Sequence, residues 1–453
     1  MRRPSVSLLT LGCARNDADS EELAARLVSD GWNVTSTADA DAPGADVIVV
    51  NTCGFIAAAK AESIQMLVEA AESGVPVVAV GCLAERYGRD LAAELPEAAA
   101  VVGFDQSADL GDTLRRVMAG ERIPAHEPQD RRLLTPASPV LRGGWSGGPR
   151  KRLEGGPVAP LRISSGCDRR CTFCAIPPIR GAFVSRHVDE VLAEATWLSA
   201  NGVRELVLVG ENCTSYGKDM GDSRLLDKLL GSLAAVPGID RIRLTYLQPA
   251  ELHPSLIDAV VGTDGVADYF DLSFQHASAD VLRRMRRFGD GQTFLDLIAR
   301  IRSAAPDSGI RSNVIVGFPG ETEQDVRSLV EFLGSADLDA VGVFEYSDEE
   351  DTQAASMPNK LDSDEIAARA AEVRSIVELT SDARASDRIG TRVAVLVELT
   401  EGRDSIGRAE HQGVDDGNAS VGGEYPAGSI VEATVTGSDG VDLICGPVSG
   451  DKQ

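Results

Sequence analysis

Several things are missing from this 453-residue chain, and each absence removes a class of explanation. No apolar run approaches the ~20 residues that a membrane-spanning helix needs. The start, Met1-Arg2-Arg3-Pro4, leads into a strand pattern without a secretory signal. These two absences predict a cytoplasmic protein with no membrane partner. A basic surplus is also missing: 44 Lys and Arg stand against 70 Asp and Glu, a net charge of −26. That balance argues against general binding to a phosphate backbone and suits solubility or a basic partner. Aromatic residues are scarce, and from residue 386 onward Tyr425 is the only one, too few to stack bases. Cysteine is scarce as well, and its spacing does not suggest the paired pattern of a secreted disulfide protein.

What the few cysteines do have is position. Cys167, Cys171 and Cys174 lie in Gly166-Cys167-Asp168-Arg169-Arg170-Cys171-Thr172-Phe173-Cys174, a C-x3-C-x2-C loop. Three thiolates on one short loop can hold three irons of a 4Fe–4S cube and leave the fourth open to a substrate or cofactor. Electron-transfer clusters usually take four cysteines, and the next one here, Cys213, is 39 residues on. A zinc knuckle with a distant fourth ligand is the competing reading, although such sites favour paired C-x2-C spacings and a histidine.

Three further cysteines each follow a short apolar, β-branched run. Val6 to Leu11 precedes Cys13, Val47 to Thr52 precedes Cys53, and Val75 to Gly81 precedes Cys82. Helical stretches follow at Ser20 to Asp30, Ala57 to Ser73 and Ala84 to Leu95. This βαβαβα rhythm predicts a parallel sheet with all three cysteines at the carboxyl ends of strands, where open α/β sheets place ligands. Convergence there predicts a second 4Fe–4S site with one open iron; coincidental core thiols are the alternative.

The chain divides into an α/β unit over 1–120, a linker over 121–157, a repeating βα unit over 158–385 and a small β unit over 386–453. The linker is rich in Pro, Gly and Arg, a composition typical of flexible chain, and its cluster Arg150-Lys151-Arg152 reads as solvated. The repeating unit has strands at Leu161–Ser164, Glu205–Val209, Ile242–Tyr246, Phe270–Phe274, Ser312–Val316 and Val341–Tyr346. Six βα units predict an open partial barrel, with the cysteine loop after its first strand at the end where barrel folds place chemistry. Glu211, Gln248, Gln275 and Gly317-Phe318-Pro319-Gly320 stand at later strand ends, which suggests a cofactor pocket. Arg392–Glu398 and Ser429–Thr436 predict strands of a small barrel of the oligonucleotide-binding type. From Ile389 onward four cations face eleven acids, a net of −7, which favours a basic protein over RNA.

Leu11-Gly12-Cys13 with Asn16, Asn51-Thr52-Cys53-Gly54-Phe55-Ile56, Gly81-Cys82-Leu83, the three-cysteine loop, and Arg180-Gly181 with Ser185-Arg186 together resemble the radical S-adenosylmethionine methylthiotransferase family. The resemblance covers the whole length except the linker, whose Gly-rich stretch near Trp145 reads as an insertion. The C-terminal part resembles the TRAM barrel that ends these enzymes. Gly166 to Pro177 and Tyr346-Ser347-Asp348-Glu349-Glu350-Asp351-Thr352 are similar to the branch acting on ribosomal protein S12.

The resemblance implies a fold of three parts: an N-terminal parallel α/β methylthiotransferase domain, a central open (β/α)6 radical barrel and a TRAM barrel. It implies two 4Fe–4S clusters, on Cys167, Cys171 and Cys174 and on Cys13, Cys53 and Cys82, with S-adenosylmethionine as cofactor and an external one-electron reductant. The implied reaction transfers a methylthio group to the β-carbon of an aspartate of ribosomal protein S12, without stable nucleic-acid binding. Phe173 is implied to lie along the adenine of the cofactor, with Glu211 and Gln275 in its pocket. Arg15, two residues beyond Cys13, is expected to hold the target carboxylate, because a guanidinium matches a carboxylate with two prongs. Cys213 and Cys445 read as ordinary thiols. A tRNA methylthiotransferase of the same superfamily and a non-catalytic iron–sulfur or zinc scaffold are the rival readings.

Overall fold

The computed structural model describes residues 2–36, 44–133 and 150–448. The Gly-rich stretch around Trp145 expected as an insertion lies outside the described residues.

The N-terminal unit is a parallel sheet of β1 (Ser5–Thr10), β2 (Asn33–Thr35), β3 (Val47–Thr52), β4 (Val77–Gly81) and β5 (Ala98–Val101), ordered β2-β1-β3-β4-β5. Helices α1 (Ala14–Ser29), α2 (Ala57–Glu72), α3 (Cys82–Glu94) and α4 (Leu110–Met118) cover it. Side chains alternate between its two faces. Val6, Leu8, Val47 and Val49 pack with Leu27 of α1 and Leu114 of α4. Leu9, Ile48 and Val50 pack with Leu67 of α2 and Leu91 of α3. Covered on both faces, β3 is buried throughout, which is why it reads as an unbroken apolar run. The edge strands β2 and β5 escaped the sequence reading; one is three residues long and the other is mostly alanine.

The central unit has the six expected strands: β6 (Val158–Arg162), then, after the short pair β7 (Ser164–Ser165) and β8 (Val184–Ser185), β9 (Glu205–Val209), β10 (Arg241–Leu244), β11 (Tyr269–Gln275), β12 (Gly309–Val316) and β13 (Ala340–Glu345). They form two parallel three-stranded sheets, β10-β9-β6 and β11-β12-β13. Bridges Ile242–Val266 and Leu247–Leu272 carry the wall from one sheet towards the other. One apolar core runs through both, from Leu161 and Leu208 to Phe274, Phe294 and Phe332. Its phenylalanines pack ring on ring, Phe274 stacking on Phe294 at 4.4 Å and meeting Phe332 edge-on at 5.5 Å.

The expectation that Arg150 is solvated is corrected. Its guanidinium is buried, donating to Glu21 of α1 at 2.6 Å and to Glu194 of the helix Val188–Ala200 at 2.6 Å. Two carboxylates enclosed where the units meet need a cation beside them. Sequence composition cannot show that demand.

After the 25-residue helix Ser363–Asp387, the chain closes a five-stranded barrel in the order β14-β15-β16-β18-β17. Its strands are β14 (Arg392–Glu401), β15 (Asp404–Ala409), β16 (Ala419–Gly422), β17 (Ile430–Asp439) and β18 (Asp442–Pro447). Val395, Val397, Val421, Val435 and Cys445 fill it. A Cβ at Gly407 would stand 1.9 Å from the Leu396 carbonyl oxygen, so only glycine lets β14 and β15 close there. Among the described residues no helix is long and apolar enough to cross a membrane.

Candidate active site

Cys13, Cys53 and Cys82 follow β1, β3 and β4, three neighbouring parallel strands. Glycine brings their loops into contact. At Gly12, with φ +99°, a Cβ would lie 2.9 Å from the Cys53 Cβ and 3.1 Å from its sulfur. At Gly54 a Cβ would lie 2.7 Å from the Leu83 nitrogen. Any side chain at either position would force the cysteine loops apart. Cys13 is the N-cap of α1 and Cys82 the first residue of α3.

Polar side chains pin the same loops. Asn16 donates to the Leu11 carbonyl at 2.7 Å, Asn51 donates to the Asn16 carbonyl at 3.0 Å, and Thr52 donates to the Val80 carbonyl at 2.5 Å. Ser63 of α2 accepts from the Cys53 amide at 2.9 Å and donates back to its carbonyl at 3.0 Å. Burial pushes the Cys53 thiol up, and pushes the Cys82 thiol up to about 12. Next to burial, Arg180 pulls Cys82 back while the Cys13 and Cys53 thiols add to the rise. Left without cations these thiols stay protonated; the cationic irons of a cluster would remove the penalty.

The second triplet lies on the loop between β7 and the helix Ile176–Arg180. Gly166, at φ +77°, would carry a Cβ 2.1 Å from the Ala182 carbonyl oxygen, so the loop turns where only glycine fits. The Cys167 amide donates to the Gly181 carbonyl at 3.1 Å and the Cys174 amide to the Cys171 carbonyl at 3.2 Å. Thr172 ties the loop to the barrel: its amide donates to the Met285 carbonyl at 3.2 Å, and its own carbonyl accepts from the Ala354 amide at 2.8 Å. Burial pushes Cys167 up to about 12 and Cys174 higher still. Arg287 approaches the Cys171 sulfur at 3.8 Å. Among the described residues no three Cys, His, Asp or Glu side chains close to the distances of a single ion. Each triplet is gathered on glycine-tight loops beside a guanidinium, a set of thiol donors of the kind that suits iron and sulfide.

The two triplets share one mouth. Arg15, buried, donates to Glu211 at 2.8 and 3.0 Å, to the Ser164 carbonyl at 3.2 Å and to the Ser165 hydroxyl at 3.0 Å. Glu211, just past β9, also accepts from the Gly166 amide at 2.9 Å. One carboxylate thus joins the residue beside Cys13 to the residue before Cys167. Burial, and after it the Cys13 thiol, push the Tyr246 phenol up, so Cys13 faces the end of β10. Gln275 closes β11 with φ +74°, where the register against β12 slips; that is strain stored at the same mouth. Phe173 packs on the small cluster of Val281, Met285, Phe318 and Ala354. The structure therefore brings Arg15 and Glu211 together, seats Gln275 at a strand end two strands further round the wall, and gives Phe173 apolar neighbours. Cys213 and Cys445 are buried in the cores of their units.

Arg180 makes contacts that its place in the Arg180-Gly181 motif does not reveal. It donates to the Cys82 sulfur at 3.1 Å, to Asn16 at 3.0 Å and to Asp19 at 2.7 Å, and its guanidinium lies 4.6 Å from the Phe104 ring centre. Asp19 also takes Arg162 at 2.9 Å and Arg15 at 3.4 Å. Its spacing four residues after Arg15, on one helix face, was the available signal. A cleft of about 860 Å³ opens between the units, lined by Arg15, Asp19, Gly81, Phe104, Arg162 and Arg180 among others.

Known proteins resemble the chain part by part and as a whole. The model of the radical SAM superfamily matches residues 161–333, and that of the uncharacterized protein family UPF0004 matches residues 5–103. The ribosomal protein uS12 methylthiotransferase RimO of Nocardioides sp. (strain ATCC BAA-499 / JS614) is 54% identical over 470 residues, covering 98% of this chain and 97% of that one. The protein of that name from Saccharopolyspora erythraea is 52% identical over 98% of this chain and 95% of its own length. The one from Streptomyces coelicolor is 50% identical over 99% and 98%. Among solved structures, the radical S-adenosylmethionine methyltransferase TsrM of Kitasatospora setae superposes with a TM-score of 0.53 at 17% identity, over 76% of this chain and 75% of that one. That likeness shows a shared fold.

Proposed function

The chain belongs to the ribosomal protein uS12 methylthiotransferase family of radical S-adenosylmethionine enzymes, and on that premise we propose that it transfers a methylthio group to the β-carbon of an aspartate of ribosomal protein S12. The observation that carries this reading is the meeting of two three-cysteine groups at one barrel mouth, bridged by Arg15 and Glu211. In the proposal Cys167, Cys171 and Cys174 hold one 4Fe–4S cluster and Cys13, Cys53 and Cys82 hold the other. When bound, the clusters and S-adenosylmethionine supply the one-electron chemistry that an unactivated C–H bond beside a carboxylate requires, together with an open iron for sulfur.

The protein's own groups do the rest. Arg180 donates to the Cys82 sulfur and pulls that thiol down against its burial, and Arg287 places its guanidinium 3.8 Å from the Cys171 sulfur. Cys82, Cys167 and Arg15 are buried, which limits water on their side of the mouth, while Cys13 is exposed and marks the open side. Glu211, fixed by Arg15 and the Gly166 amide, forms with Gln275 and Phe173 the wall proposed for the cofactor. Arg15 is already paired with Glu211, so taking the substrate carboxylate is an exchange: Arg15 shares or releases Glu211 as the aspartate enters. The acidic barrel suits a basic protein substrate.

Mass spectrometry of S12 and of bulk tRNA from cells lacking the gene tests this function. S12 should lose its methylthio group while tRNA modification stays intact. Unmodified tRNA beside normally modified S12 would overturn it.

A further inference from the structure

Residues Tyr346 to Thr352 stood out in the sequence only as a stretch similar to one branch of the family. In the fold they follow β13 and reach across to the N-terminal unit. Glu349 is 2% exposed. Its Oε2 accepts from Lys60 at 2.7 Å and from Arg86 at 2.6 Å. Its Oε1 accepts from the Ser347 hydroxyl at 2.5 Å, and that hydroxyl oxygen accepts from the Ala57 amide, the first of α2, at 3.1 Å. Arg86 donates further to the Gly54 carbonyl at 3.1 Å and to the Glu350 carbonyl at 3.0 Å. Thr352 donates to the Glu349 carbonyl at 2.7 Å and holds the loop in shape.

The residues gripped are informative. Lys60 lies in the first turn of α2, which begins four residues after Cys53. Arg86 lies one turn into α3, which begins on Cys82. One buried carboxylate, four residues beyond the last barrel strand, therefore holds the helix that follows Cys53 and the helix that begins on Cys82, and Arg86 touches the carbonyl of the residue after Cys53. A buried carboxylate sharing two cations is costly to disturb, because removing a partner leaves charge without compensation. We infer that Glu349 is a positioning residue: it sets where Cys53 and Cys82 stand relative to the Cys167 loop, and so couples the radical step to sulfur transfer. This inference rests on the methylthiotransferase reading above.

The test uses the full chain with Glu349→Gln, Glu349→Asp, Arg86→Ala and the Glu349→Gln/Arg86→Ala double variant. The first readout needs no iron. Hydrogen–deuterium exchange of E349Q should quicken in residues 54–63 and 82–90 and stay unchanged in 390–448. In the reconstituted enzyme, E349Q should keep 5′-deoxyadenosine formation within about twofold, yet lose ~tenfold or more in methylthiolated S12 per 5′-deoxyadenosine, since small misplacements cost that much. E349D should recover part of the ratio. The double variant should be no worse than E349Q, because both changes cut one linkage. Unchanged exchange in E349Q, an unchanged ratio, or parallel loss of cleavage and transfer would each overturn the inference. If the wild-type protein cleaves S-adenosylmethionine but never modifies S12, the functional reading falls, and the exchange arm still decides whether Glu349 is the latch.

Discussion

The central barrel is fastened at both ends, and the two seams are built differently. At the mouth, carboxylates of one unit meet cations of the other: Glu211 with Arg15, Asp19 with Arg162 and Arg180, and Glu349 with Lys60 and Arg86. At the floor, where β9 to β12 begin, arginines reach into the small barrel's backbone. Arg241 donates to the Arg408 and Ala394 carbonyls at 2.9 and 2.8 Å, and Arg243 to the Glu410 carbonyl at 2.7 Å. Tyr269 and Arg311 clasp Asp416. A Cβ at Gly309 would stand 2.0 Å from the His411 carbonyl oxygen, so β12 begins against the small barrel's backbone. Most of these floor contacts with the small barrel end on neutral backbone carbonyls, present whatever the side chain, with the Arg311–Asp416 ion pair beside them, so the floor makes a joint. Side-chain ion pairs beside cysteines respond to charge, so the mouth is tied to the chemistry. The acidic barrel is thus joined to the floor and, among the described residues, contributes nothing to the lining of the cleft at the mouth.

The sharpest way to break this comparison is within the mouth itself. Cys171→Ala should abolish 5′-deoxyadenosine formation, whereas Cys53→Ala should spare it and abolish methylthiolation, both read by chromatography of the same reaction. Equal loss of cleavage in both variants would merge the two triplets into one function.

A smaller effect is expected at Arg15. Arg15→Met strands Glu211 and part of the Asp19 network, and should keep S-adenosylmethionine cleavage while lowering S12 methylthiolation by ~tenfold or more, since a misplaced carbon no longer meets the reacting atom. Full yield from this variant would leave Arg15 as no more than the partner of Glu211.

The mildest effect belongs to the floor and is read by pH. Burial, helped by Arg388, pushes His411 down to about 3 from 6.5. It is neutral in the fold and takes a proton in the unfolded chain, so its stabilisation is full above 6.5 and is lost as pH falls toward 3. Burial would raise Glu205, but Arg243, Arg408 and Arg241 hold it down to about 2 from 4.5. That contribution is full above 4.5 and fades as pH falls to 2. The protection factor of residues 405–416, the exchange rate corrected for its intrinsic pH dependence, should therefore fall between pH 7.5 and 5 through His411. Protection that does not change over that range would show the joint to be insensitive to that histidine.

Much of this was legible beforehand. Cys13, Cys53 and Cys82 could be placed at strand ends because β1, β3 and β4 are buried on both faces, which leaves continuous apolar runs. Of the barrel strands β9 showed for the same reason, while β12 showed by alternation and β13, with no buried residue, by its apolar composition. In the C-terminal barrel only β14 and β17 were read, since β15, β16 and β18 are short and mix glycine and acids with their apolar residues. Arg150 was misplaced because its partners, Glu21 and Glu194, are 129 and 44 residues away. Local pattern thus determined the elements, the cysteine triplets and the class of chemistry, because periodicity and ligand spacing act over a few residues. Only the tertiary structure decided that Arg180 touches Cys82, that Arg15 is held by Glu211 and that Glu349 grips the helices that follow Cys53 and begin on Cys82. Charges far apart in the chain choose partners once packing has removed water around them, and no short-range signal records that choice.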